Sequence, residues 1–169
     1  MKYVPVMTSI LYLGIEGVLL SRHSCHRLSR FEMEGAALFD RLPLMEPLDS
    51  LVQELSEVSI VLNSWLVQDF GYRRLVQTLA PGIAARTIGA TTPGNRIHRH
   101  ICYQPRKELL RSDVKRRNPD RLTILDASLQ AIPFEYLSRS VVTSEQDIAA
   151  VPKLIARLLE LLTSPELED

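Results

Sequence analysis

Three apolar runs in this chain stop abruptly at side chains able to do chemistry. Residues 9–14 (SILYLG) lead into Gly14-Ile15-Glu16, and residues 57–62 (EVSIVL) lead into Asn63-Ser64. Residues 121–126 (RLTILD) end on Asp126, followed by Ala127 and Ser128. A carboxylate can transfer a proton or hold a cation, and a hydroxyl or carboxamide can hold a ligand oxygen. Each run is short and apolar, the signature of a strand buried on both faces of a parallel sheet. Ligands of such sheets bind beyond the carboxyl ends of the strands, so the three polar ends are expected to converge.

Other elements must position them. Residues 86–90 (RTIGA) and 139–143 (RSVVT) read as two further strands, the second one β-branched. Leu48, Leu51, Val52 and Leu55 fall at helical spacing in "PLDSLVQELSEV". Val67, Phe70, Leu75, Val76 and Leu79 do the same over residues 67–79, where Gly71 weakens the helix. Residues 106–117 put Leu109, Leu110 and Val114 on one face, and "PKLIARLLELL" starts a last helix with Pro152 in its first turn. Alternating strands and helices predict an α/β fold, a three-layer Rossmann-like sandwich with a parallel sheet of about five strands. Residues 1–163 read as a single domain and 164–169 as a disordered acidic tail.

Composition narrows the setting. The 169 residues carry 20 basic and 20 acidic side chains, so bulk charge argues for neither nucleic acid nor membrane. No apolar run approaches the roughly 18 residues of a membrane span. The N-terminus lacks the pattern of a secretion signal, and Cys25 and Cys102 do not form a Cys-x-x-Cys pair. A cytoplasmic protein with reduced thiols is expected. His23, Cys25 and His26 in "RHSCHR", like His98 and His100, lack the spacing of a zinc site; the first group reads as a mobile polar loop. Trp65 reads as core. The segment 96–121 holds nine Lys or Arg against three acidic residues, with Arg111, Lys115, Arg116 and Arg117 outward on its helix. That face is either simply solvated or a surface that tracks nucleic-acid phosphates.

The ordered set of polar ends resembles the haloacid dehalogenase-like (HAD) phosphohydrolase superfamily, which opens on an apolar strand ending in Asp-x-Asp-Gly. Here that segment is "LYLGIEGVLL". The family's second signature, a strand ending in Ser or Thr, resembles "IVLNSW", with Asn63 or Ser64 at the matching place. Its third, a basic residue ahead of the fourth strand, corresponds to Arg106 or Lys107 in "QPRKELL". Its acidic pair resembles "LTILDAS". The spacing of "IVLNSW", "TIGAT" and "ILDAS" is similar to that of the small HAD domains in bacterial RNA-repair proteins. The resemblance implies no large cap domain, with residues 20–47 as a flap or small insertion and an open site suited to a macromolecular end or a partner.

The resemblance also implies a mechanism that this chain does not fully equip. In the family the first Asp attacks phosphorus, the second works as acid and base, and Mg²⁺ is held in part by the first Asp and the later acidic residue. Here the nucleophile position is Gly14, the acid/base position is Glu16, and only Asp126 remains of the acidic pair. Mg²⁺ binding is therefore expected to be weakened or absent, with Asp126 its one remaining carboxylate ligand. The expected function is a pseudoenzyme that binds a phosphorylated ligand or a protein partner. The alternative is an atypical metal-dependent phosphatase acting on nucleic-acid ends, with Glu16 as base and Asn63, Ser64, Arg106 and Lys107 holding the transferred group. A Gly14→Asp substitution is the change expected to bring back metal affinity.

Overall fold

All five apolar runs form strands of one sheet in the computed structural model, which describes residues 7–30, 40–92 and 104–164. In chain order the elements are β1 (Ser9–Leu13), α1 (Arg22–Arg30), α2 (Met45–Glu54), β2 (Val58–Leu62), α3 (Leu66–Asp69) and α4 (Tyr72–Thr78). Then follow α5 (Pro81–Arg86), β3 (Thr87–Ala90), α6 (Arg106–Arg117), β4 (Arg121–Asp126), β5 (Ser140–Val142) and α7 (Val151–Thr163). The strand order is β3-β2-β1-β4-β5 and every pairing is parallel. The chain runs outward from β1 to β3 and then returns to the other side of β1. The order therefore reverses between β1 and β4, and a crevice opens at their carboxyl ends.

Side-chain alternation divides the core in two. Leu11 and Leu13 of β1 face the layer of α2, α5 and α7, together with Leu48, Ile83 and Leu158. Ile10 and Tyr12 face α6, against Leu110 and Val114. Strands covered on both sides explain why these runs are almost continuously apolar. Polar groups anchor the helix ends. Asp49 accepts from the Ile83 N–H (2.8 Å) in the first turn of α5, a turn that lacks intrahelical acceptors. Arg121 and Arg139 donate to the Leu162 and Leu161 carbonyls at the end of α7, both at 2.7 Å.

Two expectations are corrected. Residues 67–79 are not one helix but α3 and α4, broken where Gly71 takes φ 97°. That left-handed backbone suits glycine and ends the helical ladder. "RHSCHR" is not a mobile loop: it lies in α1, with Ser21 at its N-cap accepting from the Ser24 N–H (3.1 Å) and with Cys25 in the core. The Ser cap was the sequence signal for that helix. His98, His100 and Cys102, residues 165–169 of the expected tail, and residues 31–39 of the expected flap lie outside the described residues. Trp65 is half-buried. Among the described residues no helix is long and apolar enough to cross a membrane.

Beneath α6 the buried Tyr12 hydroxyl donates to Asp113 (3.1 Å), itself 4 % exposed. Burial, and then the Asp113 charge, push the Tyr12 phenol above its ordinary value of 10.0. The unfolded chain ionises first, so this stabilisation is complete below pH 10.0 and is lost as pH rises beyond it. In urea unfolding, Tyr12→Phe is expected to flatten the fall of stability above that pH. An equally steep fall in the variant would contradict the assignment.

Candidate active site at the carboxyl edge of the sheet

The ends of β1, β2 and β4 meet through their backbones. Gly14 N donates to the Leu125 carbonyl and Asn63 N to the Leu13 carbonyl, both at 2.8 Å. Asp126, the last residue of β4, is 1 % exposed at the reversal point. Arg106 reaches it from the first turn of α6. Its Nη1 donates to Asp126 Oδ2 (2.8 Å) and to the Asn63 carbonyl (2.7 Å), and its Nη2 donates to Asp126 Oδ1 (3.2 Å). The Ser128 N–H donates to the same Oδ1 at 2.8 Å. Both carboxylate oxygens are therefore committed, in the bidentate arrangement that makes Arg–carboxylate pairs strong and directional.

Asp126 also occupies the space beside Gly14. A Cβ added at Gly14 would stand 2.5 Å from Asp126 Oδ2 and 2.8 Å from its Cγ, closer than real Cβ contacts come. With the Asp126 carboxylate in this position, only glycine fits without a shift. The side chain expected of a nucleophile and the carboxylate of Asp126, where it now lies, cannot share this space.

The second carboxylate has a different partner. Glu16 is half-buried and its Oε2 accepts from Ser64 Oγ at 2.8 Å. Ser64 is fully buried, and its Oγ accepts from the Leu66 N–H (3.1 Å) at the start of α3. Asn63 points elsewhere: its Oδ1 accepts from Thr91 Oγ1 (2.8 Å), while its Nδ2 is buried without a partner. Of the two residues that the sequence left open here, Ser64 is the one whose side chain meets Glu16. Of the two basic candidates, Arg106 reaches Asp126 and Lys107 is exposed.

A family model for the HAD domain in Swiss Army Knife RNA repair proteins matches residues 10–149, most of the chain. The chain belongs to this family. No curated protein and no solved structure matches it. The match begins inside β1 and extends past β5, so all of the sheet but its first residue, and the three polar ends of this HAD domain, fall within it.

Within the HAD domain, three polar neighbours of the site escaped the sequence reading. Thr91 and Thr92 follow β3 and bond to the Asn63 side chain and the Ser64 carbonyl (3.2 Å for the latter). The strand-end rule that found Asn63-Ser64 would have found them too. Arg22 donates to the Ala127 carbonyl (3.2 Å) beside Asp126, while its own N–H donates to Glu145 (3.0 Å). Nothing in its local sequence marks it. Cys25 lies buried in the core: burial, then the Glu16 and Glu145 charges, push its thiol up to about 12, away from the thiolate that reacts. Among the described residues no group of three or more His, Cys, Asp or Glu is placed to hold a metal ion.

Three of the outward cations named for the basic helix are ion-paired. Arg111 pairs with Glu108 and with Glu135, while Arg116 and Arg117 both pair with Asp113. Lys115 is exposed. The Arg111 bonds hold the Glu135 carboxyl down at about 2, so it is charged at physiological pH.

Proposed function

We propose that this HAD domain serves RNA-repair proteins as a binding module without aspartyl-phosphate chemistry, taking a phosphorylated ligand or a protein partner at the carboxyl edge of its sheet. One observation carries the reading: the place of the attacking side chain is empty of one at Gly14 and filled by the Asp126 carboxylate. The groups that would grip a transferred phosphate are likewise engaged within the protein, Ser64 to Glu16 and Arg106 to Asp126. A ligand has to compete with those bonds. Such a site suits reversible binding better than in-line displacement, where a misplacement of about 1 Å can cost about 100-fold.

The donors present do not fit a Mg²⁺ ion. Mg²⁺ takes oxygen ligands in near-octahedral array and is usually held by one or two carboxylates. Gly14 supplies no side-chain oxygen, Asp126 is neutralised by Arg106, and the near oxygen of Glu16 is engaged by Ser64. No step of the proposed function passes through a metal.

Family membership supports a nucleic-acid setting, while the ion pairs of Arg111, Arg116 and Arg117 leave that face little net charge for tracking phosphates. Any RNA affinity through this face is expected to be weak and to vanish with salt. A second reading, hydrolysis with Glu16 as base, is supported by one feature: Glu16 is the carboxylate of the site held by a hydroxyl and not by a cation. Incubation of the purified protein with Mg²⁺ and p-nitrophenyl phosphate, or with 5′- or 3′-phosphorylated RNA, separates the two. No phosphate release above the Glu16→Gln background is expected. Turnover abolished by Glu16→Gln would replace the binding reading with the hydrolytic one.

A further inference from the structure

Resting on the non-catalytic reading of the same site, we infer that Arg106 is its resident cation. The guanidinium takes the oxygen cage that a divalent ion would need, and it locks the site in a form that a nucleophile at position 14 cannot enter alone. Its two terminal nitrogens reach three oxygens, both of Asp126 and the Asn63 carbonyl, at 2.7–3.2 Å. The side chains of Arg106 and Asp126 are 17 % and 2 % exposed, so water screens the pair little. A hard cation seeks such a cluster of carboxylate and carbonyl oxygens, and here a fixed side chain already provides the charge. The same bonds hold the Asp126 carboxylate over Gly14, where an added Cβ would come within 2.5 Å of it.

The loss at position 14 and the pairing of Arg106 are thus one coupled feature. Restoring the acid by Gly14→Asp puts a second carboxylate against Asp126 while Arg106 still occupies the oxygens. The single substitution should therefore gain no metal, contrary to what the sequence suggests. Removing Arg106 as well leaves two buried carboxylates without a counter-charge, and a divalent ion becomes the group that neutralises them.

Mn²⁺ binding followed by electron paramagnetic resonance, with thermal unfolding in parallel, tests this in the full chain. Wild type, Asp126→Asn and Gly14→Asp are expected to show the same background binding and no Mn²⁺-dependent rise in unfolding temperature. The Gly14→Asp/Arg106→Met double variant is expected to bind Mn²⁺ at least about tenfold more tightly and to gain stability as Mn²⁺ is added. A wild-type Mn²⁺ site lost in Asp126→Asn would overturn the inference, as would a folded double variant indifferent to Mn²⁺. If the double variant does not fold, the wild-type comparison decides alone: background binding supports the inference and a specific site refutes it. Metal-free phosphate release would overturn the binding reading and leave the role of Arg106 standing. A wild-type Mn²⁺ site without turnover would do the reverse.

Discussion

Arg106→Met is expected to lower the unfolding free energy by about 3–5 kcal/mol, the cost of leaving a buried charge without its partner. Met keeps the unbranched apolar stem of Arg and lacks its guanidinium, so the loss falls chiefly on the charge and its hydrogen bonds. Asp126 would keep only the Ser128 N–H as a donor among those now facing it. Arg106→Lys should recover part of the loss, because one ammonium cannot span both carboxylate oxygens as a planar fork does. Adding Asp126→Asn to Arg106→Met should recover more, since removing the second charge removes the uncompensated one. Urea unfolding of the wild type, Arg106→Met, Asp126→Asn and the double variant closes the cycle. A loss below about 1 kcal/mol for Arg106→Met, the range of exposed pairs, would mean that the bidentate contact is not held in solution.

Asp113→Ala is the second large effect, expected at about 3–4 kcal/mol from two sources. The Tyr12 hydroxyl would be left buried without an acceptor, a penalty of about 1–3 kcal/mol. Arg117, whose side chain is 20 % exposed, would lose its partner, whereas Arg116, at 65 %, adds little. Combining Asp113→Ala with Tyr12→Phe should restore much of the loss, because the orphaned hydroxyl goes with it. If the double variant is no more stable than Asp113→Ala, the buried hydroxyl is not the source. Three cations of α6 that invite a nucleic-acid reading are thus partners in local ion pairs, two of them meeting at this buried carboxylate.

The strands were legible because burial on both faces demands continuous apolar runs: β4 falls where "RLTILD" does, and the other strands lie within a residue or two of their runs. Helix α6 is bounded as its periodicity predicts, with Asn118 in the left-handed conformation closing it. Two local signals outweigh the longer pattern. Gly71 divides what looks like one helix, and the Ser21 cap starts α1 in a stretch that looks like a polar loop. At the strand ends, β1, β2 and β4 lead to Glu16, Asn63, Ser64 and Asp126, and β3 leads in the same way to Thr91 and Thr92, whereas Arg22 carries no such signal.

What the sequence determined by itself was the parallel α/β architecture, the polar strand ends and the missing acid at position 14, since these are properties of residue type and spacing along one segment. Only the tertiary structure decided how those residues spend their bonds. Arg106 and Asp126 are 20 residues apart, Ser64 and Glu16 are 48 apart, and Tyr12 and Asp113 are 101 apart. No periodicity encodes such contacts: the crossover through α6 between β3 and β4 creates the first and third, and the pairing of β1 with β2 creates the second. Gly14 is the clearest case. In sequence it is a vacancy, whereas in the fold its space is taken by a carboxylate that an arginine holds in place, because two buried charges satisfy each other only at contact distance.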